Sequence, residues 1–358
     1  MVDSKLLAIL RCPLSGQALR MRPITDNAAP PRWRALGETF GIGAPAFALE
    51  TVDGTWRYPL WNEVVGLIAT LADGEESGRP LRDEKQVVAD FYDQFGWQRD
   101  GEQFRDALAF EDMRPLTAGY RARCHRRVNR HLRSGEFLLD AASGAVQLDE
   151  YASFSRDYRC RICVDLSLGG LLAAKRRLGD HAVCILGDIT ALPLADGVVD
   201  AFVSIHTIYH IPADEQTRAV AELYRTLKSG GPGVIVYSWG PHSRLAQLYW
   251  TWARRRNADT AAQASPPLYF HPHGPDWYKR EIAARYPVKL RVWRSVEKEF
   301  LTAAVRSRLG AMLLLWPLYL AEELAPAWLG RIGVCPMFVF KKTETRSSLT
   351  RCAEEHMR

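Results

Sequence analysis

Four short apolar runs, each closing on a polar residue, constrain this chain more than any other feature. Phe137-Leu138-Leu139 ends in Asp140, and Ile162-Cys163-Val164 ends in Asp165. Val183-Cys184-Ile185-Leu186 ends in Gly187-Asp188, and Ala201-Phe202-Val203-Ser204-Ile205 ends in His206. Runs this short and this apolar read as strands of a parallel sheet covered on both faces. Helical stretches fall between them, at Ser167 to Leu178 and at Ala213 to Leu227. The second opens on Asp214-Glu215 and closes on Lys228-Ser229-Gly230-Gly231, the charge order and stop residue that helix ends favour. Gly233 to Tyr237, Val288 to Phe300 and Gly333 to Lys341 supply further strands. The alternation implies right-handed crossovers. The expected fold class is α/β: a Rossmann-like, doubly wound, seven-stranded, mostly parallel sheet. Ligands of such sheets bind beyond the carboxyl ends of the strands, where the polar residues fall.

The chain divides into four parts on this reading. Residues 1–70 form a small β-rich unit, with a short helix at Leu6 to Leu10, a knuckle-like turn at Cys12 to Gly16 and a strand at Thr55 to Leu60. Residues 71–84 are polar and contain Gly and Pro, as linkers do. Residues 85–342 hold the main domain. They begin with helices at Glu84 to Trp97 and Gly119 to Leu132, and an aromatic and basic insert at about 242–289 reads as a lid. Residues 343–358 are a polar tail. The seven cysteines are scattered and odd in number, which fits a reducing compartment rather than a disulfide framework. No signal peptide is read at Met1-Val2-Asp3-Ser4-Lys5. The apolar stretch Ala311 to Ala321 is broken by Pro317 and stops at Glu322-Glu323, too short for a transmembrane segment. A cytoplasmic location is expected, and oligomeric state is not written in the sequence.

From about residue 85 to 342 the order of signals resembles the class I S-adenosylmethionine-dependent methyltransferases. That family opens with a strand and Asp-x-Gly-x-Gly-x-Gly; here the stretch is Asp140-Ala141-Ala142-Ser143-Gly144-Ala145-Val146, with Gly144 the one glycine kept. Ala191-Leu192-Pro193-Leu194 with Asp196 and Asp200, and Leu227-Lys228-Ser229-Gly230-Gly231, match later segments of the family. One subgroup shares the Ala-Ser-Gly turn followed by Gln147 and Tyr151, together with Ser204-x-His206-Thr207-x-Tyr209-His210. The resemblance implies S-adenosylmethionine as cofactor, held by Asp140, Ser143, Gly144, Asp165, Leu166, Asp188, Ile189 and Ser204. Asp165 would take the ribose hydroxyls, and Asp188 with Ile189 the adenine edge. His206, whose imidazole titrates near neutrality when unperturbed, is the expected general base, with Tyr209 and His210 next.

Residues 1–70 resemble the zinc-ribbon-like activator subunit of tRNA and protein methyltransferases. Ser15 stands where that family has its second knuckle cysteine. A closed zinc site needs about four ligands, so no metal is expected there. His271 and His273 are a second pair that would lack a third ligand.

The chemistry expected is methyl transfer to a hydroxyl or amine of a small molecule or glycoconjugate. An RNA methyltransferase is the alternative suggested by the net charge of +6 and by Arg254-Arg255-Arg256. Nucleic acid is the less favoured partner, since the Asn/Asp-Pro-Pro-Tyr sequence used on base amino groups is missing. A non-catalytic cofactor-binding scaffold or regulatory partner is the reading that the lost glycines suggest. Ser-His-Asp hydrolase chemistry is excluded by the lack of a Gly-x-Ser-x-Gly elbow.

Overall fold

The apolar runs form strands where the pattern places them, and the sheet they build continues past seven strands. A computed structural model describes residues 3–24, 29–74, 78–257 and 266–343. Its strands, in chain order, are β1 (Leu19–Pro23), β2 (Phe47–Thr51), β3 (Arg57–Leu60), β4 (Val64–Gly66), β5 (Arg99–Asp100), β6 (Gln103–Phe104) and β7 (Gly135–Ala141). They continue with β8 (Tyr158–Asp165), β9 (Ala182–Leu186), β10 (Ala201–Ile205), β11 (Pro232–Val236), β12 (Val288–Arg294) and β13 (Cys335–Lys341). Eleven of them form one sheet in the order β1-β2-β3-β4-β9-β8-β7-β10-β11-β13-β12, while β5 and β6 form a separate hairpin. From β4 through β11 every neighbouring pair is parallel. β13 runs antiparallel between β11 and β12. The direction of winding reverses between β7 and β10, which puts the switch point of this α/β sheet at their carboxyl ends.

Side-chain alternation along β7 explains why both faces are covered. Phe137, Leu139 and Ala141 face one core with Phe202 and the helix Gln216–Thr226, through Ala219, Val220 and Leu223. Leu138 faces the other, with Val203 and the helix Pro115–Asn129, through Tyr120, Cys124 and Val128. That period of two is the strand signature, and burial on both sides accounts for the lack of polar alternation in the sequence.

The N-terminal 70 residues share this sheet and this core. β4 lies parallel to β9, and Leu6, Leu10, Leu49 and Tyr58 belong to the same cluster as Leu139 and Phe202. The turn at Cys12 keeps a tight hydrogen-bonded form: Gly16 N donates to Cys12 O at 2.8 Å, and Ser15 N lies 3.4 Å from Cys12 Sγ. The thiol is in contact with the buried Tyr58 hydroxyl at 3.2 Å.

Several expected boundaries move, two of them with a change of element. The strand expected over Val288 to Phe300 stops at Arg294, because Ser295 gives both its N–H and its hydroxyl to Glu322 Oε1, at 2.8 and 2.5 Å, and the chain turns into the helix Lys298–Ala304. The helical segment expected over Ala311 to Leu329 is two helices. Arg308–Leu324 is started by the Ser307 hydroxyl accepting from Gly310 N, and Pro326–Ile332 follows. The first keeps Pro317 in its interior. Of the expected tail, residues 344–358 lie outside the described residues, as do 258–265 of the insert.

Candidate active site

Beyond the carboxyl ends of β7, β8, β9 and β10 lies a cavity of about 530 Å³, lined by aliphatic, aromatic and polar side chains. The loop after β7 sets one wall. Backbone φ is +55° at Ala142, +52° at Gly144 and +48° at Val146, the left-handed region at alternate positions. These are the three places where the resembled motif carries glycine. The loop therefore keeps the glycine conformation with two residues that adopt it at a cost of about 1–2 kcal/mol each. The substitutions that matter conformationally are at 142 and 146. Gly144 has a second reason to be glycine, since a Cβ there would meet Trp97 Cζ2 at 2.2 Å.

Asp165 joins this loop to the next. Its Oδ2 accepts from Gly144 N and its Oδ1 from Ser167 N, both at 2.8 Å. Ser167 in turn caps the helix Leu168–Leu178. Burial pushes the Asp165 carboxyl up to about 6, against the lowering effect of those two N–H donors. Leu166 lines the cavity beside it. Asp140, buried at the end of β7, is held by Arg161 through Nη2 at 2.5 Å and Nε at 2.9 Å. Asp188 and Ile189 line the wall after β9. Asp188 Oδ1 accepts from Thr190 N and Oγ1, while Oδ2 accepts from Lys85 at 2.6 Å. Lys85 also pairs with Glu215 at 2.5 Å, so this buried lysine pins the helix Asp83–Phe91 over the site.

The wall after β10 carries the expected acid–base residues. His206, at φ +61°, is half-buried, with its ring edge-on to Trp293 at 4.6 Å, and its Nε2 has no partner. Burial, aided by the Arg294 charge, holds it down to about 3, far from the near-neutral imidazole expected. His210 donates from Nδ1 to Tyr269 O at 2.7 Å and is held down to about 4 by burial. Tyr209 stacks edge-on against Phe270 at 5.1 Å, and burial pushes its hydroxyl well up. All three line the cavity, as do Asp140, Ser143, Gly144, Asp165, Leu166, Asp188 and Ile189. Ser204 does not. Alternation along β10 gives the cavity to Ile205, and the Ser204 hydroxyl is spent on Thr207 Oγ1 at 2.5 Å.

Several lining groups carry no local signal in the sequence. Glu297, just after β12, accepts from the Trp250 indole, and burial with Glu299 nearby pushes it up to about 7. Asp106 accepts from Gln147 Nε2 at 2.6 Å and is pushed up to about 6 by burial. Arg294 and Glu111 form a buried ion pair at 2.6 Å. Ser143 Oγ, Gln147 Oε1, Trp97 Nε1, His206 Nε2 and Arg294 Nε are buried with no partner, although each belongs to a lining residue. Unpartnered buried polar atoms are rare in folded proteins, and these five belong to residues around the cavity. Among the described residues no group of three or more His, Cys, Asp or Glu side chains could hold a metal ion.

The strand order, with a cavity at the switch point, defines a Rossmann-like α/β architecture. Residues 139–235 match the family described as a methyltransferase domain. The chain is 37% identical over 102 residues to a demethylmenaquinone methyltransferase of Renibacterium salmoninarum, covering 28% of this chain and 40% of that protein. A demethylmenaquinone methyltransferase of Symbiobacterium thermophilum is 29% identical over 151 residues, 38% of this chain and 58% of that one. The chain thus spans about half the length of these curated relatives. Among solved structures, geranyl diphosphate C-methyltransferase from Streptomyces coelicolor aligns at 14% identity and a TM-score of 0.45, over 74% of this chain and all of that one.

Proposed function

We propose that this chain is an S-adenosylmethionine-dependent methyltransferase acting on a small molecule. The observation that carries the reading is the loop Asp140–Val146, left-handed at each motif position and tied to Asp165 through Gly144 N. Asp165 keeps lone pairs beyond its two backbone donors, enough to accept from both ribose hydroxyls. Ser143 would contribute to holding the methionine portion, and Leu166 and Ile189 the adenine. Asp188 has one lone pair left for the adenine edge once Thr190 and Lys85 are served.

The bound cofactor supplies a methyl already activated on sulfur. The protein aligns the acceptor and takes a proton from it. The acceptor half is formed by His206, Tyr209, Phe270 and Glu297. Of these Glu297, titrating near 7, suits the proton better than His206 at about 3. Glu297 would accept the proton of an acceptor hydroxyl or ammonium, leaving a lone pair on that oxygen or nitrogen for the methyl group, whose bond to the cofactor sulfur would break with release of S-adenosylhomocysteine. His206, held neutral by burial, would form part of the wall against which the acceptor sits. The stretch 266–271 serves as a cover, since His271 N donates to Tyr209 O at 2.8 Å and Phe270 meets Tyr209. Demethylmenaquinone, named for the two curated relatives, is one candidate acceptor.

Methyl-tritiated cofactor, incubated with the protein and either a panel of ring hydroxyl and amine compounds or total RNA, tests this. Label is expected in the small-molecule fraction. Label found only in RNA would overturn the reading.

A further inference from the structure

The helix Arg308–Leu324 is apolar on both of its sides. One side packs on the protein: Leu314, Leu315, Leu318 and Tyr319 join the core beneath it, and Glu322 is fully buried against Arg127 at 2.8 Å. The other presents Leu309, Met312, Leu313, Trp316, Leu320 and Leu324 to solvent, with Leu313 65%, Trp316 56% and Leu324 77% exposed. Trp328 on the next helix extends the stripe at 61%. Steps of three and four residues put these side chains on one continuous face. A folded chain rarely leaves a contiguous apolar patch of this kind to water unless something covers it.

Charge says what covers it. Arg306 and Arg308 stand exposed at the start of this helix, where its dipole favours acidic residues instead. Arg306 Nη2 donates to Arg256 O at 2.8 Å, which brings exposed Arg254, Arg255 and Arg256 to the same end. These guanidinium groups lie on rings and carbonyls: Arg254 over Trp250 at 5.3 Å, Arg256 over Trp252 at 5.9 Å and bonded to Ala303 O. Five arginines beside an apolar stripe edged by tryptophans form the pattern of a segment lying in the plane of an anionic bilayer surface. No helix among the described residues is long and apolar enough to cross a membrane, so the contact is with one leaflet. We propose that the exposed face of Arg308–Leu324, with the arginine cluster at its start, docks this protein on the surface of a membrane containing anionic phospholipid. Binding there is independent of the chemistry in the cavity.

Flotation of the full chain with phosphatidylcholine vesicles, with and without phosphatidylglycerol, tests the surface. The wild type is expected to float with the phosphatidylglycerol vesicles. Leu313→Glu combined with Trp316→Glu is expected to cut the bound fraction about tenfold or more. Arg255→Glu with Arg308→Glu should remove the preference for phosphatidylglycerol. All four positions are exposed, so thermal unfolding of the variants should match the wild type. Three results would overturn the proposal. One is a wild type that stays with neither vesicle, and another is glutamate variants that float as well as it does. The third is a dimer in sedimentation that the glutamate variants convert to monomer, which would give the face to a second copy.

Discussion

The two halves of the cavity are built in opposite ways. The half under β7, β8 and β9 comes from one stretch of chain, Asp140 to Ile189, and its key carboxylate is already fixed by backbone N–H groups of Gly144 and Ser167. The half beyond β10 is gathered from Asp106, Glu111, His206, Phe270, Arg294 and Glu297, residues far apart in sequence. There the fixing groups are side chains, chiefly the buried Arg294–Glu111 pair, and polar atoms of His206 and Arg294 have no partner. A half fixed by backbone holds a ligand of constant shape. A half fixed by side chains can change its ligand by substitution while the fold stays as it is.

The difference can be broken experimentally. The largest effect is expected at the ion pair. Glu111→Ala strands a buried guanidinium and should destabilise the fold by about 3–5 kcal/mol, read from urea unfolding. Replacing both partners, with Glu111→Leu and Arg294→Met, should recover most of that loss. If the double variant is as unstable as the single, the pair is not what organises this half.

Glu297 is next. Its carboxyl titrates near 7 in the fold against an ordinary 4.5, so ionising it costs folding free energy. That cost is absent below the unfolded value, grows as pH climbs toward 7, and is complete above it. Glu297→Gln removes it. The variant should therefore gain on the wild type between pH 4.5 and pH 7, by up to about 3 kcal/mol. Turnover, where Glu297 takes the proton, should rise through about pH 7 in the wild type and lose that limb in the variant. A pH-independent stability difference would count against the assignment.

In the cofactor half, Ala142→Gly relieves a left-handed alanine at φ +55° and should stabilise the fold by about 1 kcal/mol in thermal unfolding, with cofactor affinity kept. A clear loss of stability would mean that the Ala142 methyl contributes packing worth more than the strain.

Legibility in the sequence follows the same division. The strands ending at Asp140, Asp165, Asp188 and His206 could be placed because a local apolar period and its polar stop are written side by side. The expected roles of Gly144 and Asp165 come from the family resemblance. Ser204 lies on the face of β10 turned away from the cavity, which Ile205 lines, since periodicity locates a strand but not which of its faces meets the cavity. Lys85, Asp106, Glu111, Arg294 and Glu297 gave no signal, because what distinguishes each is a partner or a burial supplied by another part of the chain. Lys85 reaches Asp188 and Glu215, both more than one hundred positions away. His206 was legible as a residue but not as a chemical group: its imidazole is displaced by burial and by Arg294, neither visible from its neighbours in sequence.

Calorimetric titration with S-adenosylmethionine and S-adenosylhomocysteine, on the wild type and on Asp165→Ala, tests the central claim that the half under β7, β8 and β9 is a cofactor site. Loss of a charge-assisted contact to the ribose is worth about 1.5–3 kcal/mol, roughly ten- to a hundredfold in affinity. The account predicts binding to the wild type and that loss in a variant that remains folded. Equal affinity in the two proteins, or no binding to the wild type, would contradict it.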